Sequence, residues 1–226
     1  MHFVKPVFLA ILVSCFTACA TAPQNIGELK TQVTQYKESG KYEHDFNVVI
    51  GKAERHIIAQ SSKVKNPAIV LDIDETSLSN WPQLKANDYA FYLPGPCENL
   101  EKGPCGLDGW KSSGKAKAFS STLRLFETAK SQNISVFFIT GRMERERAVT
   151  ESNLKDAGYH GWSGLVLRAS GTKTATADLY KAPERAKIEA RGFTIIANIG
   201  DQPSDLKGGG AHEKDFLLPN PFYRIK

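Results

Sequence analysis

Four apolar residues, Ala68-Ile69-Val70-Leu71, run directly into Asp72-Ile73-Asp74-Glu75-Thr76. An apolar run of this kind reads as a strand of a parallel sheet, buried on both faces. Two carboxylates, one residue apart, therefore stand where the strand stops and the chain turns. In an open α/β sheet that edge is where ligands bind. The plain reading is a solvated acidic turn. The chemical reading has one carboxylate attacking phosphorus to form an aspartyl-phosphate. The other gives a proton to the leaving group and later takes one from water.

The rest of the chain supplies a fold for that edge. Its 226 residues suit one domain with a full core. From Ile26 to about Ser62 helical spacing recurs at Phe46, Val49, Ile50, Ala53, Ile57 and Ile58, and Gly40-Lys41 divides two helices. After Thr76, residues 77–117 are rich in Gly, Pro and aromatics and lack strong periodicity, as a lid or functional loop does. Then the signals alternate. Helices are expected over Ala118–Ser131, Glu144–Asp156 and Tyr180–Ala190. Strands are expected over Ile134–Ile139, Leu165–Leu167, Thr194–Ile199 and Phe216–Leu218. Such alternation implies an α/β fold with a doubly wound parallel sheet, preceded by a helical region and carrying a small insertion after its first strand.

The chemistry-bearing residues follow strand ends in separate places: Asp72 and Asp74, then Thr140-Gly141, then Lys181, then Asp201 and Asp205. Parallel strands bring their carboxyl ends to one edge, so these groups can converge. A phosphate monoester dianion repels a carboxylate nucleophile, and a hard divalent cation cancels that charge. Asp72 and Asp201 are its expected carboxylate ligands, with the backbone carbonyl of Asp74 and waters. Mg²⁺ is the expected ion. Thr140 would donate its hydroxyl, and Gly141 its backbone N–H, to phosphate oxygens. Lys181 would act as a point charge on the phosphate and on Asp72, with Lys173 as a competitor. Asp205 could be a metal ligand, an acceptor behind the ligands or a helix cap. Arg142 reads as structural, pairing with a neighbouring acid. A Ser-His-Asp hydrolase is not supported: no Gly-x-Ser-x-Gly occurs and the five His lie outside these motifs.

The ends and the cysteines concern location. Lys5 and the apolar stretch Val7–Phe16 form a targeting segment too short to span a bilayer as a helix. Phe16-Thr17-Ala18-Cys19 fits a bacterial lipobox, with Cys19 lipidated; Leu12-Val13-Ser14-Cys15 also fits but leaves a shorter apolar core. The expected organisation is a signal peptide at 1–18, a tether at 19–27 and one domain at 28–226. Export is then expected to the periplasm or outer membrane, with the lipid as the only membrane contact. An oxidising compartment favours a Cys97–Cys105 disulfide; free thiols and half of a metal site are the alternatives. The net charge of +5 is mild and scattered, so no nucleic-acid footprint is visible.

These motifs also carry a family resemblance. Asp72-x-Asp74-x-Thr76, Thr140-Gly141-Arg142, Lys181 and Gly200-Asp201-x-x-x-Asp205 resemble the four motifs of the haloacid dehalogenase superfamily. The Asp two residues after the nucleophile resembles its phosphatase branch. Gly40-Lys41-Tyr42-x-x-Asp45, Asp74-Glu75-Thr76-x-x-x-Asn80, Tyr180-Lys181-x-x-x-Arg185, Gly200-Asp201-Gln202-x-Ser204-Asp205-Leu206 and Leu218-Pro219-Asn220-Pro221-x-Tyr223 resemble acid phosphatases of the class B/class C type, including the plant acid phosphatase and vegetative storage protein group. The resemblance implies a Rossmann-like core, Mg²⁺ dependence and phosphomonoester hydrolysis through an aspartyl-phosphate on Asp72. The expected substrate is a small phosphomonoester, with a nucleotide or aryl phosphate possible. A phosphotransferase on the same intermediate, and a phosphate-binding or storage protein without turnover, are the alternatives.

Overall fold

The computed structural model describes residues 23–93, 95–169, 171, 176–210 and 213–225. The expected signal peptide, Cys15, Cys19 and Lys173 lie outside the described residues. Two helices lead in. Helix α1 (Ile26–Glu38) is capped by the Asn25 side chain, which accepts from the N–H groups of Gly27 and Glu28. Gly40, at φ 79°, breaks it from α2 (Lys41–Ser61). The buried stripe of α2 is Tyr42, Phe46, Ile50, Ala53 and Ile57. Ile58, expected in that stripe, is 46% exposed, because two successive helical residues cannot share one narrow face.

Five strands form the main sheet in the order β5-β4-β1-β6-β7, all parallel. They are β1 (Pro67–Leu71), β4 (Ser135–Met143), β5 (Gly164–Arg168), β6 (Thr194–Gly200) and β7 (Lys214–Leu217). Alternation along β1 and β4 sends Ile69, Leu71, Val136 and Phe138 into one apolar cluster and Ala68, Val70, Phe137 and Ile139 into another. The first cluster packs under α2 and α5 (Ser120–Ser131); the second meets Tyr180 and Ile188 of α7 (Asp178–Ala190). Both faces are thus covered, as a parallel sheet requires. The expected helix over Glu144–Asp156 begins as a 3-10 turn, Glu144–Glu146, and continues as α6 (Arg147–Asp156).

Residues 77–117 fold as a small insertion. Its ends, β2 (Leu78–Ser79) and β3 (Lys117–Ala118), pair antiparallel, and α3 (Trp81–Ala86) and α4 (Leu107–Ser113) lie between them. Cys97 and Cys105 are disulfide-bonded. Chain direction across the sheet reverses beside β1. From there the chain runs outward through β4 and β5, then returns to β6 and β7 on the other side. Asp72 and Asp201, which follow β1 and β6, flank that switch point.

Candidate active site

The turn after β1 is tightly built. Asp72 N–H continues the ladder to the Ile199 carbonyl at 3.0 Å, and the Ile73 carbonyl accepts from Thr76, Ser77 and Leu78. Glu75 takes the left-handed conformation at φ 55°, uncommon for a non-glycine residue. Ile73 is wholly buried in the core. Its neighbours meet charge instead: Asp72 meets Lys181 and Asp74 meets Arg142.

Asp72, Asp201 and Asp205 are all buried, and each offers a carboxylate oxygen within 4.8 Å of the others. Lys181, from the first turns of α7, lies 2.5 Å from Asp72 Oδ1 and 2.7 Å from Asp205 Oδ1. Burial opposes the charge of this lysine, but the two carboxylates outweigh it and raise its pKa. Asp72 is raised well above its ordinary range, by burial and by Asp205, Asp201 and Asp74, against the pull of Lys181. Burial, then Asp205, pushes Asp201 up to about 7. Three buried carboxylates, two of them paired with Lys181, form an all-oxygen donor set with surplus negative charge, which suits a hard divalent cation.

Asp205 arrives in position through a glycine. A Cβ at Gly200 would lie 2.7 Å from the Cβ and Oδ2 of Asp205, so only glycine lets β6 run this close. Asp205 Oδ2 accepts from the Gln202 N–H at 3.0 Å, capping the short turn that carries it. The cap and the Lys181 partner are thus one residue, beside the other two acids. Four residues along α7, Arg185 donates to the backbone carbonyls of Asp205 and Lys207 and holds that turn.

Asp74 sits apart from the triad, in the grip of Arg142. Its Oδ1 and Oδ2 take Nη2 at 2.8 Å and Nε at 3.1 Å, and Asn80 Nδ2 donates to Oδ1 at 2.9 Å. Burial alone would raise the Asp74 pKa, but Arg142 and Asn80 pull it down to about 2. The neighbouring acid expected for Arg142 is therefore Asp74 itself. Thr140 is fully buried within β4, just past Ile139 where the pairing with β5 shifts register, and its hydroxyl accepts from Arg142 N–H at 3.2 Å. Leu71 pairs with Phe138, so Ile139 stands beside Asp72 in register and Thr140 one residue further along the same strand. The Cβ position of Gly141 meets no atom within 4 Å, so this rim of the site is open.

Four further side chains complete the site and were not singled out from local sequence. Glu75 is buried, pushed up to about 7 by burial and by Asp74, and accepts from Asn80 and Tyr223. Asn80 also accepts from Trp110 Nε1 at 2.7 Å, so α4 braces the residue that contacts the turn. Gln202 and Asn220 each donate to Asp201 Oδ2 at 2.6 Å. Only their place in the family motifs pointed to them.

Residues 10–226 match the family model described as HAD superfamily, subfamily IIIB (acid phosphatase). The chain belongs to that family. It is 39% identical over 156 residues to acid phosphatase 1 of Solanum lycopersicum, covering 69% of this chain and 58% of the tomato protein. It is 32% identical over 210 residues to vegetative storage protein 1 of Arabidopsis thaliana, covering 91% of this chain and 72% of that one. The chain thus spans less than two thirds of the tomato protein's length. Among solved structures, the class C acid phosphatase from Bacillus anthracis superposes with a TM-score of 0.69 at 19% identity, over 88% of this chain and 86% of that one. At this identity that likeness shows the fold alone.

Proposed function

We propose that this chain is a Mg²⁺-dependent phosphomonoesterase working through an aspartyl-phosphate on Asp72. The observation that carries the proposal is Asp72 itself, held 2.5 Å from Lys181 within a triad of carboxylates. Asp72 and Asp201, with the Asp74 backbone carbonyl, would hold the cation, which when bound neutralises phosphate charge and lets the anionic nucleophile approach. Asp205 would orient Lys181 behind them. Thr140, Gly141 and Lys181 would bind the phosphoryl oxygens.

In the first half-reaction an Asp72 oxygen bonds to phosphorus and the bond from phosphorus to the leaving oxygen breaks. Asp74, having first taken a proton from solvent, gives it to that oxygen. In the second, water attacks phosphorus, Asp74 takes its proton, and the bond to Asp72 breaks to release phosphate. The Arg142 fork favours the ionised form of Asp74, the form that would activate water. For protonation of the leaving oxygen this grip would loosen when substrate is bound, so that Asp74 takes up a proton from solvent before giving it away.

Relatives include storage proteins, so binding without turnover is the competing reading. The intact Asp72, Lys181 and Asp74 weigh against it. Phosphate release from p-nitrophenyl phosphate and nucleoside monophosphates, with Mg²⁺ and with EDTA, separates the two. Adding alcohol acceptors tests transfer in place of hydrolysis.

Export into an oxidising compartment is part of the proposal, supported by the Cys97–Cys105 disulfide. Signal cleavage before a lipidated Cys19, in a bacterial periplasm or outer membrane, is its finest element. The named sequence relatives are plant proteins, so this element stands on residues 7–19 alone. Incorporation of labelled fatty acid, lost in Cys19→Ala, would establish it.

A further inference from the structure

The chain beyond β7 crosses the mouth of the site. Leu218 N–H bonds to the Gly200 carbonyl at 2.9 Å, extending the ladder and steering residues 218–225 over Asp201. Asn220 Nδ2 donates to Asp201 Oδ2, and Asn220 Oδ1 accepts from the N–H groups of Phe222 and Tyr223 at 2.9 and 3.3 Å. The turn that Asn220 caps therefore orients its own amide. Gln202 reaches the same Asp201 oxygen, and its other end accepts from Ile225 N–H at 2.9 Å. Three residues after Asn220, Tyr223 OH donates to Glu75 Oε2 at 3.0 Å, and Glu75 holds Asn80, which donates to Asp74. A crevice of about 230 Å³ lies beside Asp201, Asn220, Tyr223 and Arg224.

We propose that this C-terminal segment is a working part of the site. Asn220 is a positioning residue for Asp201 as a cation ligand. Tyr223 is a positioning residue for Asp74, acting through Glu75 and Asn80. The assignment of roles rests on the phosphatase reading above; the contacts do not.

Two N–H donors at 2.6 Å satisfy Asp201 Oδ2. Oδ1, which takes a longer bond of 3.2 Å from the Thr76 hydroxyl, is then the oxygen left to face a cation. Mg²⁺ demands near-octahedral geometry, so a carboxylate held at one angle binds it better than one free to turn. Loss of such an outer partner typically costs about 10–100-fold in metal affinity or activity. On the other branch, Tyr223 fixes one oxygen of a buried carboxylate that also fixes Asn80. Asn80 donates to Asp74 beside the Arg142 fork, and so helps set where Asp74 points.

The test uses full-length protein, with Mg²⁺ titrated by calorimetry and phosphate release from p-nitrophenyl phosphate followed in parallel. Asn220→Ser keeps a hydroxyl that can cap the turn but is too short to reach Asp201. It should raise the Mg²⁺ Kd by roughly 10–100-fold. Tyr223→Phe should lower kcat about tenfold and leave the Mg²⁺ Kd within about twofold. A purely structural strap would move both readouts together, in step with a fall in Tm. That result, or a wild-type Mg²⁺ Kd in Asn220→Ser, or a wild-type kcat in Tyr223→Phe, would overturn the proposal. A wild-type protein that binds Mg²⁺ but releases no phosphate would instead sink the phosphatase reading and the Tyr223 branch with it. The Asn220 branch would still stand or fall on the titration.

Discussion

Arg142 and Asp74, 68 residues apart in sequence, form a two-pronged ion pair with Arg142 almost wholly buried. The guanidinium fork matches the carboxylate plane, a geometry that lysine cannot reproduce. It holds the Asp74 pKa at about 2, below that of an unfolded aspartate. A carboxylate with a depressed folded pKa stabilises the fold above its unfolded pKa, and that share is lost as pH falls through the folded value. Arg142→Met should cost about 3 kcal/mol of stability near neutral pH, the scale for breaking a buried pair. The deficit should shrink between about pH 4 and pH 2. Denaturant unfolding at pH 7 and pH 3 checks this; an equal deficit at both would contradict it.

Three other buried acids act with the opposite sign. Burial raises Asp72, and raises both Asp201 and Glu75 to about 7. Between the unfolded and folded values the native state keeps protons that the unfolded chain has released, so stability falls as pH rises from about 4 to about 7. In EDTA the protein should melt at a lower temperature at pH 7 than at pH 4.5. Mg²⁺ should reduce that difference, because a divalent cation stabilises the ionised carboxylates. Glu75→Gln should reduce it further. Scanning calorimetry at both pH values, with and without Mg²⁺, reads all three effects. A Tm that rises toward neutrality in EDTA would refute the assignment.

Trp110, on α4, bonds to Asn80 near the start of the insertion, and Asn80 in turn contacts Asp74 and Glu75 in the turn after β1. Trp110→Phe removes that donor and leaves Asn80 Oδ1 with a buried, unmet need, worth about 1–3 kcal/mol. Since Asn80 also donates to Asp74, turnover should fall along with stability. Paired measurements of kcat and Tm would show it. A stability loss with full activity would mean that the insertion merely packs against the turn.

What was legible in the sequence, and what was not, follows the range of the interactions. Runs such as Ala68–Leu71 and Thr194–Ile199 declare buried parallel strands because both of their faces are apolar. The convergence of Asp72, Asp201 and Lys181 then follows from topology alone. The strand over Ile134–Ile139 runs on to Met143, because a bulge after Ile139 lets Met143 pair with Arg168, and no residue in that stretch announces it. Glu75 follows two more conspicuous acids, Asp72 and Asp74. Its role depends on Tyr223, 148 residues away. Asn80, Gln202 and Asn220 are ordinary amides until the fold brings a carboxylate within reach. The insertion lacked periodicity because its helices are short and half-exposed, anchored by buried polar contacts as much as by an apolar stripe.

The decisive measurement is Mg²⁺-dependent phosphate release by the wild-type protein beside Asp72→Asn, with near-ultraviolet circular dichroism to confirm the fold. Asparagine keeps the shape of the side chain but cannot attack phosphorus as a carboxylate does. The wild type should turn over and Asp72→Asn should fall to background, a loss of at least about 10³-fold, with its fold intact. Retained turnover in Asp72→Asn would contradict the aspartyl-phosphate mechanism outright.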